Sequence, residues 1–350
     1  MEEAAESSVL AIDLGGTRIR AAHISPDLTV SHRVSAPTDD AAGVEAVVSR
    51  ICRIAAEVLA AARADGLADP IGVGISAPGP LDRLRGVVVA APNLAGWRDV
   101  PLAPRVAENL QLPTFLERDT NVAAQCEWRY GAARGTRDAI YITVSTGIGG
   151  GIILDGSPLH GSDGTAGEVG HMTVELDGPV CGDGQRGHVE AIASGTGIAR
   201  AAREVLAAGG APRLAAGLAG REPDARAVAE AADAGDPACI AILDHAWEAL
   251  GALGASLVNL LNPEVIVLGG GIATHRPEVL DRMREGIAQR AFPVPARRVR
   301  VAMAEHGDDV SLIGALPIVN DRIHDPAPGR TDIPGVAASG PAPMQRSTSQ

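Results

Sequence analysis

The feature that most constrains the fold of this chain is a pattern that occurs twice: an apolar strand, a turn rich in glycine and hydroxyl groups, and a second strand. The first copy is Ala11-Ile12-Asp13-Leu14-Gly15-Gly16-Thr17-Arg18-Ile19-Arg20, and the second is Tyr141-Ile142-Thr143-Val144-Ser145-Thr146-Gly147-Ile148-Gly149-Gly150-Gly151-Ile152-Ile153. Because glycine carries no side chain, backbone N–H groups in such turns can approach an anion closely. One such turn alone would also fit a plain hairpin. Two of them suggest a duplicated βββαβα core that binds the phosphates of a nucleotide.

The polar residues of these turns have the chemistry that a metal-bound nucleotide requires. In the first turn, Asp13 ends the strand, where a carboxylate can hold a hydrated divalent cation, and Thr17 adds a hydroxyl donor. A third apolar strand, predicted over 265–268, leads into Gly269-Gly270-Gly271. The residues expected to contact the nucleotide are Asp13, Gly15, Gly16, Thr17, Thr146, Gly147, Gly149 and Gly270.

Strands and helices alternate along the rest of the chain. Apolar residues spaced three or four apart, from Val44 to Val58, predict a helix over 43–63 with one apolar face. Asn262-Pro263 marks the end of another helix, because the residue before proline is disfavoured in helical geometry. The predicted strands cover 9–13, 19–24, 29–35, 71–76, 114–117, 139–144, 152–154 and 265–268, and the predicted helices cover 43–63, 121–130, 236–261 and 311–320. This alternation indicates an α/β fold.

Length and composition limit the class of protein. A chain of 350 residues is long enough for two domains. Its net charge of −13 argues against a nucleic-acid partner, because phosphate backbones are bound by clustered Lys and Arg. No apolar run reaches the roughly 18 residues of a membrane span, and the acidic start does not resemble a signal peptide. With four scattered cysteines, these features predict a cytoplasmic protein without a disulfide framework.

One competing motif is excluded by its own context. Gly72-Val73-Gly74-Ile75-Ser76-Ala77 matches the dinucleotide-binding pattern G-x-G-x-x-A. In that pattern a helix begins within the motif, so that its N-terminus meets the pyrophosphate. Here Pro78-Gly79-Pro80 follows and prevents a helix. A dehydrogenase is therefore not expected.

Together, the two phosphate turns and the third glycine run resemble the phosphate 1, phosphate 2 and adenosine elements of the sugar kinase/actin/Hsp70 superfamily. More narrowly, the chain resembles the ROK family (repressors, open reading frames and kinases) through three further motifs. These are Pro92-Asn93-Leu94-Ala95-Gly96-Trp97, Glu117-Arg118-Asp119-Thr120-Asn121 and Ala166-Gly167-Glu168-Val169-Gly170-His171. The resemblance runs from about residue 9 to about residue 323, with the motifs in the family's order. It implies an α/β, actin-like ATPase (ribonuclease H-like) fold of two domains with a cleft between them.

The resemblance also implies domain limits. Residues 1–118 together with 306–325 form a small domain, which carries the first phosphate turn and part of the sugar site. Residues 119–305 form a large domain with the catalytic aspartate, the second phosphate turn and the adenosine motif. Residues 326–350 are rich in Pro, Gly, Ser and Thr, and we expect a disordered tail because they cannot bury enough apolar surface to fold.

Phosphoryl transfer to a sugar hydroxyl needs a base that accepts the hydroxyl proton. Asp119 follows a predicted strand at its carboxyl end, where the sites of α/β enzymes concentrate. In the family that the chain resembles, the aspartate of a Glu-Asn-Asp-x-Asn motif has this role. The structural alternative, an N-cap of the following helix, is compatible with catalysis. Arg118 replaces the family's Asn, and it can donate to a sugar oxygen, pair with a neighbouring carboxylate or point outward.

The remaining sugar contacts are implied by the resemblance. Glu168 and His171 lie three residues apart after a glycine turn, so both can face one ligand. Glu190 completes this half of the site, although an ordinary solvated acid is the alternative. The residues expected to bind the sugar are Gly79, Asn93, Arg118, Asp119, Glu168, His171 and Glu190.

The family's zinc loop is altered in this chain. The family reads Gly-His and then, about nine residues later, Cys-x-Cys-Gly-x-x-Gly-Cys-x-Glu, whereas this chain reads Cys181-Gly182-Asp183-Gly184-Gln185-Arg186-Gly187-His188-Val189-Glu190. The spacing survives, but Asp183 and His188 stand where two of the three cysteines would be. The candidate zinc ligands are His171, Cys181, Asp183 and His188. All are of types that bind zinc, although fewer thiolates should weaken the binding. The alternative is a metal-free loop of the same shape.

The resemblance implies an ATP-dependent, Mg²⁺-requiring hexose kinase, with glucose phosphorylated at the 6-hydroxyl as the first expectation. An amino sugar (N-acetylmannosamine, N-acetylglucosamine or kanosamine) is the alternative, motivated by Arg118 and the altered zinc loop. Two other classes are a sugar-responsive regulator and an inactive sugar-binding module. A regulator would carry a helix-turn-helix ahead of the first strand, where only eight residues stand, and Asp119 argues against the inactive module. A homodimer is expected by family analogy, and the choice between ATP and polyphosphate as donor stays open.

Overall fold

The computed structural model describes residues 7–91 and 94–324. Asn93, expected in the sugar site, and the tail predicted over 326–350 lie outside the described residues. The strands are β1 (Val9–Leu14), β2 (Arg18–Ile24), β3 (Val30–Pro37), β4 (Val73–Ala77), β5 (Leu81–Asp82), β6 (Val87–Ala90), β7 (Arg98–Val100), β8 (Thr114–Arg118), β9 (Ala139–Val144), β10 (Ile148–Leu154), β11 (Ser157–Pro158), β12 (Val265–Gly269) and β13 (Arg300–Met303). The helices are α1 (Val44–Ala64), α2 (Leu102–Leu110), α3 (Asp119–Tyr130), α4 (Val189–Ala193), α5 (Gly195–Ala207), α6 (Pro212–Leu218), α7 (Ala225–Asp233), α8 (Pro237–Leu261), α9 (Gly271–His275), α10 (Val279–Arg290), α11 (Pro293–Ala296), α12 (Val310–Ile313) and α13 (Ala315–His324).

Two five-stranded sheets share one topology. The first has the strand order β3-β2-β1-β4-β8, and the second has the order β11-β10-β9-β12-β13. In the first sheet β1 is antiparallel to β2, while β1, β4 and β8 are parallel to one another. In the second sheet β9 is antiparallel to β10, while β9, β12 and β13 are parallel to one another. Each glycine turn joins the first two strands of its sheet. The shared topology confirms the α/β class and the duplicated core that the two turns predict.

Both faces of β1 are covered, and this determines the direction of Asp13. Side chains alternate between the two faces of a strand. Leu10 and Ile12 pack in the core on the side of α1, whereas Val9 and Ala11 pack with residues of α12 and α13 on the other side. Asp13 continues the second alternating set, so its carboxylate lies on the side of α12.

The chain returns to the first sheet after β13. Helices α12 and α13 pack on β1, and α13 also packs on β4 and β8. The contact is close: a Cβ atom added at Gly74 would lie 2.7 Å from the Cβ of Ala315. Glu127 secures the crossing, because its carboxylate accepts hydrogen bonds from the backbone N–H of Glu305 at 2.9 Å and of His306 at 3.0 Å. The domain limits given above stay a prediction.

Some elements begin or end away from their predicted limits. The helix predicted over 121–130 begins at Asp119, and the helix predicted over 311–320 is divided into α12 and α13. Helix α8 keeps its predicted limits: Asp236 caps it by accepting from the backbone N–H of Ala238 at 3.1 Å, and its C-cap Asn262 has a left-handed φ of 48°. The elements that the sequence pattern does not predict are the strands β5, β6, β7, β11 and β13 and the helices α2, α4, α5, α6, α7, α9, α10 and α11.

The expectation about membrane-length segments needs a correction. Helix α8 has 25 residues and is long and apolar enough to cross a membrane by length and composition alone. However, 56% of its most apolar window is buried inside the protein. The helix packs against α4, α7 and α10. These contacts are typical of a helix at the centre of a protein core.

Candidate active site

Asp119 lies where β8 ends and α3 begins. It is the first residue of α3, and the N-cap position belongs to Arg118, whose side chain makes no capping hydrogen bond. The Asp119 carboxylate accepts from the backbone N–H of Thr120 at 2.7 Å. Asp119 is therefore not the N-cap of α3, which was the structural role that the sequence offered as an alternative. Its side chain is exposed to solvent and can reach a ligand.

The surroundings of Asp119 raise its pKa to about 6. Burial is the largest cause, because protein crowds the carboxyl group closely although solvent still reaches it. The negative charges of Asp13 and Glu168 act in the same direction, whereas the Thr120 N–H and the Arg118 cation oppose them. A carboxylate with this pKa is ionised at neutral pH and still accepts a proton readily, as a general base requires.

This pKa predicts the pH dependence of any reaction that uses Asp119 as a base. The carboxylate must be deprotonated to act, so kcat/KM should rise with pH up to about 6 and then level off. Below that pH we expect activity to fall about tenfold per pH unit. Initial rates from pH 4.5 to 8 at fixed ionic strength would measure this. A profile that stays flat down to pH 5 would contradict the role of Asp119.

Glu117, two residues before Asp119, is a buried carboxylate that sequence analysis does not single out. Burial alone would raise its pKa, but hydrogen bonds from His160, Asn121 and the backbone of Arg118, together with the attraction of His160, lower it to about 2. His160 Nε2 lies 3.0 Å from one oxygen, and Asn121 Nδ2 donates to the other at 3.1 Å. Glu117 is thus a fixed anion that holds the start of α3. Its place at the head of the Glu117-to-Asn121 motif is the signal that could have identified it.

Arg118 pairs with a neighbouring carboxylate, which is one of the three possibilities that the sequence leaves open. Its Nη1 donates to Glu168 Oε1 at 2.6 Å, and its Nη2 donates to the carbonyl oxygens of Gly150 at 3.0 Å and Ala166 at 2.5 Å. The side chain is only 5% exposed. A Cβ atom added at Gly79 would lie 3.2 Å from Arg118 Cδ, so the glycine leaves room for the arginine stem. Arg118 therefore connects the loop after β4 with β10 and the loop that carries Glu168.

Glu168 is a half-exposed carboxylate whose charge acts on Asp119. Its side chain is 46% exposed, and Arg118 holds only Oε1. The second oxygen, Oε2, is therefore the one that a ligand hydroxyl can reach. Since the charge of Glu168 raises the pKa of Asp119, the two carboxylates lie within electrostatic range of each other. The predicted sugar contacts Gly79, Arg118, Asp119 and Glu168 thus converge on one region.

The first phosphate turn is open to solvent. Gly16 and Thr17 are exposed, and Thr38 supports the turn from behind, because its Oγ1 donates to the carbonyl of Gly15 at 2.7 Å. Asp13 is paired with Arg20, which donates to Asp13 Oδ2 from Nε at 3.0 Å and from Nη2 at 2.7 Å. Both bonds reach the same oxygen, so Oδ1 is the atom through which Asp13 could hold a hydrated cation. Sequence analysis does not predict this ion pair.

The second phosphate turn packs directly on the helix that carries Asp119. A Cβ atom added at Gly149 would lie 2.7 Å from Thr120 Cγ2, so the glycine permits this contact. Thr146, at the tip of the turn, is exposed, and the backbone N–H of Gly195 at the start of α5 donates to Ser145 O at 2.8 Å. The turn therefore lies between Asp119 and the N-terminus of α5, where phosphate groups are favoured.

Gly270 shapes the end of β12 beside the second turn. Its φ is 87°, in the left-handed region that favours glycine, and it is the N-cap of α9. A Cβ atom there would lie 2.5 Å from Val144 O and 2.6 Å from Thr143 Oγ1. The glycine thus lets β12 turn away close to β9. The three predicted nucleotide elements lie at the carboxyl ends of β1, β9 and β12.

The four candidate metal ligands come together. One ligand atom from each residue lies within 4.8 Å of the others; the residues are His171, Cys181, Asp183 and His188. Asp183 Oδ2 is 3.3 Å from the Nδ1 atoms of both histidines, which are 3.3 Å apart, and Cys181 Sγ is 3.9 Å from His171 Nδ1. Tetrahedral zinc with ordinary bond lengths places its N and O ligands about 3.3 Å apart and N and S about 3.6 Å apart. The donor types therefore fit a zinc ion, and the three spacings among N and O atoms match it, while the Cys181 sulfur lies slightly farther out.

Glu190 connects this cluster to the second phosphate turn. Its Oε2 accepts from the backbone N–H of Ile148 at 2.8 Å, and its Oε1 lies 3.8 Å from Cys181 Sγ. A Cβ atom added at Gly147 would lie 2.7 Å from Glu190 Oε2. Glu190 is thus held within the protein rather than being an isolated surface acid. Its contact with a sugar stays a prediction.

Comparison with known proteins agrees with this geometry. Among curated proteins, the chain is 34% identical to the glucokinase of Thermotoga maritima over 324 residues, which are 90% of this chain and 98% of that protein. It is 33% identical to the N-acetylmannosamine kinase of Citrobacter koseri, with 88% of this chain and 97% of that protein covered.

A solved structure extends the likeness to the fold. It is that of a ROK family glucokinase from Streptomyces griseus in complex with glucose and AMPPNP, which is 33% identical, with a TM-score of 0.74 and coverage of 89% of this chain and 98% of that chain. The actin-like ATPase fold that the motifs imply is thereby confirmed. The ROK family model matches residues 9–322. The chain therefore belongs to the ROK family.

Proposed function

We propose that this chain is an ATP-dependent hexose kinase that transfers the γ-phosphoryl group to the 6-hydroxyl of glucose. The observation that carries the proposal is a solvent-accessible carboxylate with a raised pKa, Asp119, next to two open glycine turns. Glucokinases that are 32–35% identical over most of the chain support this reaction class.

Each group has a distinct part in the reaction. Asp119 accepts the proton of the sugar hydroxyl. At the same time the hydroxyl oxygen forms a bond to the γ-phosphorus, and the bond from that phosphorus to ADP breaks. Backbone N–H groups of the two turns, with Thr17 and Thr146, hold the phosphates. Asp13 is the residue that would hold the hydration shell of a Mg²⁺ ion bound with ATP, and that ion would neutralise phosphate charge. Glu168 accepts from a neighbouring sugar hydroxyl and so fixes the ring relative to Asp119.

We also propose that His171, Cys181, Asp183 and His188 bind a structural zinc ion. The spacing of the Asp183 and histidine ligand atoms supports this, because 3.3 Å is the separation expected around a tetrahedral ion. Such an ion would fix His171, and through the short α4 segment it would fix Glu190 against the second turn. Its role is therefore to keep these two side chains in position.

An N-acetylated amino sugar is the second candidate substrate. Its support is the N-acetylmannosamine kinase of Citrobacter koseri, which is 33% identical to this chain. The pairing of Arg118 with Glu168 gives no reason to prefer a sugar with a free amine, such as kanosamine, because the cation lies next to the acceptor site. Within this alternative, the neutral N-acetyl sugars are therefore the better candidates.

A substrate panel tests the reaction and the sugar together. Purified protein is assayed for ADP release with glucose, mannose, N-acetylmannosamine, N-acetylglucosamine and kanosamine, with polyphosphate as an alternative donor. We expect the highest kcat/KM with glucose and ATP. No turnover with any sugar, combined with measurable glucose binding by calorimetry, would favour the regulator or the inactive module instead.

Two further properties belong to this proposal. We expect a cytoplasmic enzyme, and we expect a homodimer on the family analogy. Light scattering coupled to gel filtration would measure the mass, which is 35.6 kDa for one chain. A mass of about one chain at micromolar concentration would contradict the dimer and leave the kinase proposal intact.

A further inference from the structure

The acceptor end of the site contains a buried cation that the proposed reaction does not use. The guanidinium of Arg118 donates four hydrogen bonds, and its acceptors are Glu168, Asn121, Gly150 and Ala166. These acceptors belong to three segments: α3, β10 and the loop before Glu168. Because its bonds fix the guanidinium from several sides, the charge cannot swing away when a ligand arrives.

This cation acts on the place where the acceptor must bind. A bond of 2.6 Å to Glu168 is short and charge-assisted. Arg118 lowers the pKa of Asp119 while Glu168 raises it, so both charges are felt at the base. A sugar with one hydroxyl at Asp119 and another ring substituent at Glu168 Oε2 therefore lies within the field of a fixed positive charge.

We infer that Arg118 is a specificity-determining residue that makes this kinase favour neutral sugars over sugars that carry an ammonium group. By pairing with Glu168, it removes the attraction that a lone carboxylate would exert on a substrate ammonium, and its own charge repels that group. The inference rests on the proposed function and deepens it, because it names the substrate charge and one residue that selects it. The ROK motif described above has a neutral Asn at this position, so the charge comes from this chain's own sequence.

Among the other charged groups near the acceptor, the acidic ones act in the opposite direction, and the cation Arg20 is paired with Asp13. Asp119 and Asp13 are acidic and would attract an ammonium group rather than repel it. Arg20 donates to Asp13 and to the backbone of Asp308, so its charge is shared with the phosphate side of the site. The discrimination should therefore depend on Arg118.

Two substitutions of Arg118 separate its charge from its hydrogen bonds. Arg118→Gln removes the positive charge, whereas Arg118→Lys keeps the charge but lacks the planar guanidinium and its paired N–H donors. The quantity measured is the ratio of kcat/KM for an amino sugar, 2-amino-2-deoxyglucose or 3-amino-3-deoxyglucose, to kcat/KM for glucose at pH 7. We expect Arg118→Gln to raise this ratio at least fivefold for one or both amino sugars and Arg118→Lys to change it less than fivefold. Arg53→Gln, on the exposed face of α1, is the matched control and should leave the ratio unchanged.

Some outcomes would overturn the inference. A ratio that changes less than fivefold in Arg118→Gln for both sugars, or that changes as much in Arg118→Lys, would show that charge is not the cause. A purely structural role would lower kcat/KM for all sugars together and leave the ratio unmoved. Failure of the proposed function is distinguishable, because the wild-type protein would then phosphorylate none of the sugars.

A measurement on the wild-type protein keeps the test independent of how the variants fold. Above pH 7 Asp119 is ionised, so the main change on raising the pH further is loss of the proton from the substrate amine. We expect the amino-sugar to glucose ratio of kcat/KM to rise at least fivefold as the amine becomes neutral. With N-acetylglucosamine, which carries no titrating amine, the corresponding ratio should stay flat. A flat ratio for both amino sugars would contradict charge selection at this site.

Discussion

Replacing Asp119 by asparagine is expected to lower kcat by about 10²–10⁴-fold, the usual contribution of a general base. The amide keeps the shape of the side chain and can still accept from the Thr120 N–H, but it cannot take the hydroxyl proton. Binding of the sugar depends on several other groups, so its Kd should stay within about tenfold of the wild-type value. Steady-state kinetics and calorimetric titration with glucose would measure the two quantities separately.

Stability provides the control for this variant. Folding raises the pKa of Asp119, so its ionised form is less favourable in the folded protein than in the unfolded chain. Above pH 6, removing the charge should therefore leave Tm equal to or above that of the wild type. A variant that keeps more than half of the wild-type kcat would disprove the catalytic assignment. A strongly lowered Tm would mean that Asp119 stabilises the fold rather than the transition state.

The fold could be predicted from the sequence wherever local chemistry determines it. The two glycine turns predict two strand pairs, and the topology repeats in both sheets as that pattern requires. Helices with large apolar residues at regular spacing, such as α1, are also found from the pattern. Helix α7, Ala225–Asp233, has only nine residues, and Val228 is its only large apolar residue, so it leaves little pattern to find in the sequence. Strands β5 and β7 have two and three residues and leave almost no pattern.

The sequence predicts which residues belong to the candidate site, but it does not predict which hydrogen bonds and ion pairs they form. The resemblance to the ROK motifs singles out Asp119, Glu168 and the four metal-ligand candidates, whose roles stay predictions. It does not reveal that Arg118 bonds to Gly150, or that Arg20 pairs with Asp13. The Arg118–Gly150 contact joins strands of different sheets, so it exists only after both sheets have formed, whereas Arg20 and Asp13 are cross-strand partners in the β1–β2 pair. Charges that meet across a fold must therefore be read from the structure.

Removal of a bound metal from the cluster is expected to raise KM for the sugar by roughly tenfold or more, the usual scale for disturbing the groups that orient a site, and to raise KM for ATP less. His171 is both a candidate ligand and a predicted sugar contact, so loss of the metal would release it directly. Purified protein should contain about one zinc per chain. Elemental analysis followed by kinetics in chelator would measure both quantities.

Cys181→Ser tests the cluster without a chelator, because it removes the one thiolate of the donor set. We expect this variant to hold much less zinc than the wild type and to show the same rise in KM for the sugar. Cys52→Ser, at a buried cysteine on α1 away from the cluster, is the matched control and should keep its metal. Full activity in chelator, together with no zinc after metal-supplemented expression, would favour the metal-free loop. The 3.3 Å contacts of Asp183 with both histidines would then be ion pairs that hold the loop, and Asp183→Asn rather than metal removal would raise KM for the sugar.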